Sequence, residues 1–140
     1  MRSGYWQLPM DEASIEKTAF VCHRGLFEFL RLPFGLANRP SIYQRTMNKV
    51  LGEYIGKFVM VFIDDIVIYS KNNKDHAEHV RLVLETLEKS GLTLKDTKCF
   101  WAKEQIDLLG FVVSAQGVSA QPRKTAAIKA LAPPTTVTEL

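Results

Sequence analysis

Two adjacent carboxylates, Asp64 and Asp65, lie between two apolar runs, and this pattern is the most informative feature of the sequence. Residues 58–63 and 66–69 are rich in β-forming side chains, which predicts two buried strands joined by a tight turn at the acids. Ionised carboxylates beside an apolar core need a compensating partner, and a divalent cation with oxygen ligands is a common one. The pair therefore predicts metal chemistry.

Composition limits the classes of protein to which the chain can belong. Its 140 residues are 46% hydrophobic with a mean hydropathy of -0.04, which is enough for a core and predicts one domain or a piece of one. The acids interrupt the longest apolar run, so no membrane-spanning helix is expected. A net charge of +3 permits binding to a polyanion without requiring it. The first six residues lack a secretory signal, so a reducing setting with Cys22 and Cys99 as free thiols is expected.

The elements before the acidic pair are a ribbon, a loop and a helix. Residues 17–22 and 26–30 predict two strands of a hairpin joined by His23, Arg24 and Gly25. A loop covering residues 32–40 follows. Pro40 and Ser41 then open a predicted helix that ends near Gly52, and its apolar stripe has helical spacing. The stripe consists of Ile42, Tyr43, Met47, Val50 and Leu51.

After the acidic pair, helical spacing of Val80, Leu84 and Leu87 predicts a helix from His76 to Ser90 that Gly91 ends. The next pattern predicts one strand over 106–114, a turn at 116–117 and a short return strand. A short helix over 121–131 and the capped start of another helix over 135–139 follow. The chain therefore alternates helices with β-hairpins.

His76 and His79 stand three residues apart on the predicted helix, which is compatible with a zinc site. The neighbouring Asp75 and Glu78 favour a solvated helix face instead. No further cluster of metal ligands is apparent nearby in the sequence.

Five motifs, in this order and at this spacing, resemble the reverse transcriptase of gypsy-type long-terminal-repeat retrotransposons, which lies within a Pol polyprotein. Together they run through nearly the whole chain. The motifs are residues 2–7 (Arg-Ser-Gly-Tyr-Trp-Gln), 17–20 (Lys-Thr-Ala-Phe), 32–40 (Leu-Pro-Phe-Gly-Leu-Ala-Asn-Arg-Pro), 62–65 (Phe-Ile-Asp-Asp) and 109–111 (Leu-Gly-Phe).

The resemblance implies an α+β fold, the palm of a right-hand polymerase with a small antiparallel sheet backed by helices. Residues 1–140 would be a reverse transcriptase domain fragment, in which the ribbon is part of the fingers and residues from about 121 to 140 start the thumb. The implied activity is RNA-directed DNA polymerisation by two-metal phosphoryl transfer.

The resemblance also assigns residues to the nucleotide and its metal ions. Asp64 and Asp65 match the catalytic pair that binds Mg²⁺, with Mn²⁺ as an alternative. Tyr5 matches the aromatic residue under the sugar of the incoming nucleotide, and Phe34 and Gly35 match a segment that contacts nucleotide and template base.

Further residues match positions around the primer. Lys98 aligns with a lysine that protonates the pyrophosphate in related enzymes, and Leu109, Gly110 and Phe111 match the hairpin that grips the primer end. The implied partners are an RNA or DNA template with a DNA primer, deoxynucleoside triphosphates and the remainder of the Pol polyprotein, without a membrane. An intracellular location, in a cytoplasmic particle or the nucleus, is expected.

One departure affects the expected activity. The family's first catalytic aspartate stands two residues before the Arg-Ser-Gly-Tyr stretch, so it would precede Met1 of this chain. The chain by itself is therefore expected to be inactive. The alternative hypothesis is a catalytically inactive remnant that acts as a nucleic-acid-binding or protein-interaction module.

Overall fold

The computed structural model describes residues 4–130, except for the side chain of Ala127. The predicted α+β class is confirmed, because helices alternate with antiparallel strands that belong to three separate sheets. Contacts divide the chain into two compact units with the boundary between Cys99 and Phe100. Within residues 4–130 no helix has the length and apolar character needed to cross a membrane.

The helices and strands follow one another along the chain with short connections. The helices are α1 (Glu12–Ile15), α2 (Arg39–Val50), α3 (Asn73–Lys89) and α4 (Pro122–Lys129). The strands are β1 (Phe20–Cys22), β2 (Gly25–Phe27), β3 (Val59–Phe62), β4 (Asp65–Ile68), β5 (Gln105–Leu108), β6 (Phe111–Ser114) and β7 (Gly117–Ala120). Short 3₁₀ helices cover Gly4–Gln7, Glu16–Thr18 and Asp96–Lys98.

The core of the first unit forms where α2 packs against β3 and α3 packs against β4. Six side chains are almost completely buried there: Tyr43, Met47, Leu51, Val59, Val83 and Leu87. The spacing of Tyr43, Met47 and Leu51 confirms the predicted apolar stripe of α2, although Ile42 lies outside the core. Each fully buried large side chain contributes about 1.5–3 kcal/mol, so this contact surface holds the first unit together.

Sequence signals at both ends explain the bounds of α3. The Asn72 side chain accepts a hydrogen bond from the Asp75 amide (2.9 Å) and so caps the first turn. At the other end Gly91 has a φ of +69°, and the amide of Leu92 donates to the carbonyl of Leu87 (2.9 Å). This glycine-terminated geometry confirms that the helix ends just before Gly91.

The first ribbon, β1 with β2, is shorter than the sequence predicts. The strands pair from Phe20 opposite Phe27 to Cys22 opposite Gly25, while Lys17 and Thr18 belong to a 3₁₀ helix. The Thr18 hydroxyl explains the shortening, because it donates to the Ile15 carbonyl and accepts from the Phe29 amide. Cys22 and Cys99 are free thiols.

The second unit contains a three-stranded antiparallel sheet in the order β5-β6-β7. The prediction of one continuous strand over 106–114 was wrong, because Leu109 (φ 51°) and Gly110 (φ 87°) form a turn between β5 and β6. Helix α4 confirms the predicted helix between residues 122 and 129. The predicted helix start at 135–139 lies outside the described residues.

Candidate catalytic site

The acidic pair lies at the turn of the hairpin formed by β3 and β4, as predicted. Phe62 pairs with Asp65, so Ile63 and Asp64 form the two-residue turn and Asp65 begins β4. Both carboxylates are exposed, which corrects the expectation that they are held beside the core at a high cost of desolvation. They are accessible to a cation. Within residues 4–130 no group of three or more His, Cys, Asp or Glu side chains is placed to hold a metal ion.

The strands flanking the turn are buried on one face only. Val59 is buried and Val61 packs against the core, whereas Met60 and Phe62 are about half exposed (51% and 49%). The prediction that both strands are enclosed by the fold was therefore wrong. A two-stranded ribbon has one face on the core and one face open, which produces this alternation.

The side chain of Gln44, on α2, holds the turn in place. Its Oε1 accepts a hydrogen bond from the Ile63 amide (2.6 Å), and its Nε2 donates to the Val61 carbonyl (3.2 Å) and to Asn48 Oδ1 (2.8 Å). Ile63 has a φ of 50°, an unfavourable conformation for a β-branched residue. The bonds to Gln44 therefore offset strain next to the first carboxylate.

The 3₁₀ helix that contains Tyr5 approaches the acidic turn closely at Gly4. A Cβ atom on buried Gly4 would stand 2.5 Å from Tyr43 Oη and 2.8 Å from Asp64 Oδ1. Only glycine fits at this distance without a shift of its neighbours. The first described turn of the chain, the buried ring of Tyr43 and the carboxylate of Asp64 therefore lie side by side.

Tyr43 occupies an unusual electrostatic position at this contact. Burial is the largest cause that raises the pKa of its hydroxyl far above the ordinary value, and the negative charge of Asp64 adds to the effect. The two groups do not form a hydrogen bond of good geometry, and the buried hydroxyl has no other partner in the described part of the chain. Tyr43 therefore remains a neutral phenol next to the carboxylate.

Two of the predicted nucleotide-binding residues, Tyr5 and Phe34, lie together next to this contact. Their ring centroids are 6.4 Å apart, and Tyr5 also contacts Tyr43 at 4.9 Å. The Arg39 guanidinium lies 3.9 Å from the Tyr5 centroid and 4.0 Å from that of Phe34. These cation–π contacts hold a positive charge against both rings, and the buried Arg39 Nη1 has no hydrogen-bond partner within residues 4–130.

Gly35 and Gln7 lie beside this cluster and have different roles. Gly35 has a φ of +94° and open space where a side chain would stand, so another molecule can approach its backbone closely. Gln7, at the end of the first 3₁₀ helix, bonds Thr93 through both ends of its amide, accepting from the Thr93 amide (2.6 Å) and donating to its carbonyl (3.1 Å). Gln7 therefore fixes the helix that carries Tyr5.

An open groove lies on the outer face of α2 beside the acidic turn. It carries one cation, from Arg45. Its lining consists of Pro40, Ser41, Gln44, Arg45, Asn48, Phe62 and Ile63.

Lys98 is exposed and lies in the 3₁₀ helix Asp96–Lys98. Its amide donates to the Lys95 carbonyl (2.9 Å), and its ammonium group has no ion pair or hydrogen bond among residues 4–130. The charge is therefore available to a ligand. No described contact joins it to the acidic turn.

The predicted primer-grip residues form the turn of the second unit's sheet. Leu109 and Phe111 are each about half exposed, and Phe111 begins β6 opposite Leu108. The Lys124 ammonium group, from α4, lies over Gly110 where a Cβ atom would stand. The turn therefore presents apolar side chains together with one cation.

Sequence reasoning missed three residues around the acidic turn, Gly4, Arg39 and Gln44, and separately Lys124 at the turn of the second unit's sheet. Gln44 follows directly after the core residue Tyr43 and stands four positions before Asn48, so helical spacing placed it next to the buried stripe. Gly4 and Arg39 belonged to motifs that were interpreted through their neighbours. The contact of Lys124 with Gly110 had no signal in the sequence.

Comparison with known proteins identifies relatives over the whole chain. The family model described as reverse transcriptase (RNA-dependent DNA polymerase) matches residues 1–113. The chain is 44% identical over 140 residues to the retrovirus-related Pol polyprotein from transposon opus of Drosophila melanogaster, a match that covers 100% of this chain and 14% of that protein. It is 42% identical over 129 residues to the Pol polyprotein from transposon gypsy of the same species (92% of this chain, 12% of that protein). The chain therefore spans about one seventh of the length of these relatives.

A solved structure has a similar fold. A foamy viral protease-reverse transcriptase in complex with double-stranded DNA superposes with a TM-score of 0.81 at 24% identity, covering 97% of this chain and 28% of that chain. The same viral protein in complex with an RNA/DNA hybrid gives a TM-score of 0.79 at 24% identity, covering 97% of this chain and 18% of that chain. This likeness supports the architecture described above.

Proposed function

Because the chain belongs to the reverse transcriptase (RNA-dependent DNA polymerase) family, we propose that it contributes the acidic centre of an enzyme that extends a DNA primer. The substrates are deoxynucleoside triphosphates and an RNA or DNA template. One observation carries the proposal: the exposed Asp64 and Asp65 stand at a clamped turn next to the aromatic cluster of Tyr5. The remainder of a longer Pol polyprotein supplies the other parts, inside the cell in a cytoplasmic particle or the nucleus.

Asp64 and Asp65 are the residues that would hold Mg²⁺, with Mn²⁺ as the alternative. Their exposed carboxylate oxygens suit a hard cation, and the remaining positions of its coordination shell belong to water, substrate or further carboxylates. When bound, the metal ions supply a lowered pKa for the primer 3′-hydroxyl and neutralise charge on the leaving pyrophosphate. Gln44 keeps the turn in one conformation, so the two carboxylates are preorganised.

The aromatic cluster provides the position for the nucleotide. In this proposal Tyr5 lies under the sugar and excludes a 2′-hydroxyl, and Phe34 and Gly35 face the base pair. Tyr5 is suited to this role because Tyr43 and Arg39 contact its ring and restrict its movement. A rigid plate discriminates between sugars better than a mobile one, since the unfavourable contact cannot be relieved by rotation.

The remaining assignments concern the ends of the reaction. Lys98, whose ammonium group has no partner among the described residues, is proposed as the acid that protonates the pyrophosphate. The turn at Leu109, Gly110 and Phe111 is proposed to grip the primer, with Lys124 available to a backbone phosphate. Residues 1–140 would then comprise the palm, a fingers ribbon (β1 and β2) and, from about residue 121, the start of the thumb.

A chimaera tests this function directly. The matching segment of the transposon opus polyprotein is replaced by this chain, and extension of a DNA primer on an RNA template is measured with Mg²⁺ and deoxynucleotides. We expect extension, and we expect Asp64→Asn to lower its rate by about 100-fold or more, because loss of a metal ligand removes several kcal/mol of transition-state stabilisation.

Asp11→Asn is the matched control for this chimaera. Asp11 is also an exposed aspartate, and it lies at the start of α1, where its carboxylate accepts a hydrogen bond from the Ser14 hydroxyl. Its replacement should leave the extension rate unchanged. Equal extension by the Asp64→Asn chimaera would refute the role of the turn, and a chimaera that binds primer and template without extending it would favour the inactive-remnant hypothesis.

A further inference from the structure

Ser70, His76 and His79 form a cluster that the polymerase reaction does not use. Ser70 stands two residues after β4, and the two histidines lie three positions apart on the first turns of α3. Both imidazole rings direct Nδ1 to one atom, Ser70 Oγ, at distances of 3.1 Å from His76 and 2.7 Å from His79. The prediction that these histidines form a solvated face was therefore wrong, because both are half-buried.

Hydrogen bonding limits where the protons of this cluster can lie. A serine hydroxyl has a single proton, so Ser70 can donate to only one of the two rings. At least one ring must therefore donate from its own Nδ1, and Ser70 Oγ, which has two acceptor lone pairs, can also accept from both rings. Two imidazole nitrogens, each within hydrogen-bond distance of one hydroxyl oxygen, also provide together with that oxygen the donor atoms of a metal site.

The two nitrogen-to-oxygen distances of the cluster are close to those between neighbouring ligands of one metal ion. Nitrogen and oxygen ligands lie about 2.0–2.1 Å from Zn²⁺, so neighbouring ligands are separated by about 2.9–3.4 Å in octahedral or tetrahedral geometry. The separations in the cluster, 2.7 and 3.1 Å, are close to this range. A metal ion bound by the three atoms would replace both hydrogen bonds, with each Nδ1 turned from Ser70 Oγ toward the ion.

Neighbouring residues hold the rings in place. The His79 ring stacks on Phe58 with centroids 3.8 Å apart and planes at 5°, and Phe58 in turn contacts Tyr54 at 5.1 Å. Packing of this kind orients a metal ligand before the metal arrives. The site is also reachable from solvent, since Ser70 and both histidines are only half-buried.

We propose that His76, His79 and Ser70 bind one late first-row divalent cation, Zn²⁺ in the first instance, through both Nδ1 atoms and the hydroxyl, with water completing the shell. The nearby acids have other partners, since Asp75 bonds Asn72 and Glu78 pairs with Arg81. The site joins the end of β4 to α3, so an ion there fastens the base of the acidic hairpin to the helix. This proposal does not depend on polymerase activity.

Zn²⁺ titration of the 140-residue chain, followed by calorimetry, tests the proposal. We expect one site, and we expect His76→Ala to weaken binding by roughly 10-fold or more. The chain contains three histidines, so His23→Ala is the matched control and should bind Zn²⁺ as the unaltered chain does. Ser70→Ala should have a smaller effect, because a neutral hydroxyl is the weakest of the three ligands.

A second readout does not rely on a variant that could lose its fold, since His79→Ala also removes the ring stacked on Phe58. Zn²⁺ should shift the ring nitrogen resonances of both His76 and His79 at Nδ1, while those of His23 stay in place. Absence of Zn²⁺ binding, binding that persists in His76→Ala, or binding that disappears only in Cys22→Ser would overturn the proposal.

Discussion

Replacement of Gly4 by alanine tests whether the 3₁₀ helix Gly4–Gln7 packs against the acidic hairpin. The added Cβ atom would stand 2.5 Å from Tyr43 Oη, 2.9 Å from Tyr43 Cζ and 2.8 Å from Asp64 Oδ1. Tyr43 is completely buried, so a shift of its ring would have to be accommodated by the side chains packed around it. Overpacking of this kind destabilises a fold by about 1–3 kcal/mol.

Urea unfolding of the 140-residue chain measures this effect. With a typical urea dependence of about 1–3 kcal/mol per molar, the midpoint should fall by roughly 0.5–2 M. Tyr43→Phe deletes the nearest atom and should relieve part of the loss when combined with Gly4→Ala, since residues in contact are coupled by about 0.5–3 kcal/mol. An unchanged midpoint in Gly4→Ala, or strictly additive effects in the double variant, would refute the contact and with it the position of Tyr5 beside the acids.

Three further predictions concern residues around the same turn. Gln44→Ala should lower the free energy of unfolding in urea by about 1–3 kcal/mol, and it should speed hydrogen exchange at the Ile63 amide, which loses its acceptor. Unchanged exchange would contradict the role of Gln44 in holding the turn. Arg39→Ala should lower the unfolding free energy by about 0.5–2 kcal/mol, because the half-buried guanidinium loses two ring contacts; Arg45→Ala, an exposed arginine on the same helix, is the control. The pKa of Tyr43 is raised in the folded chain, so near pH 10 and above only the unfolded chain releases this proton, and the free energy of unfolding falls as the pH rises above 10. Phenolate absorbance measures this: near pH 10 the folded chain and its Tyr43→Phe variant should absorb equally, because Tyr43 is still protonated.

The helices and the acidic turn could be predicted because local patterns determine them. Tyr43 and Met47 recur at helical spacing and are both buried, and Gly91 ends α3 through a positive φ that few other residues adopt. The pair Asp64 and Asp65 between apolar runs placed the hairpin turn correctly. These features depend on residues within a few positions of one another.

The rest depends on contacts between distant segments, which a single sequence does not reveal. Leu109 and Gly110 interrupt an apolar run that was interpreted as one strand, because an apolar turn residue with positive φ is rare. The role of Gln44 arises from a bond to Ile63, 19 positions away, and a polar residue on a helix ordinarily faces water. The exposure of the carboxylates likewise follows from which face of the ribbon packs on the core.

The most direct measurement of the central claim is Mn²⁺-induced broadening of amide resonances in the isotope-labelled 140-residue chain. A paramagnetic ion bound at the acidic turn should broaden the amides of Ile63, Asp64 and Asp65 first, together with that of Gly4, which lies next to the Asp64 carboxylate. The double variant Asp64→Asn with Asp65→Asn should remove this selective broadening. Resonances of the turn that stay sharp while others broaden, or equal broadening in the double variant, would contradict the account.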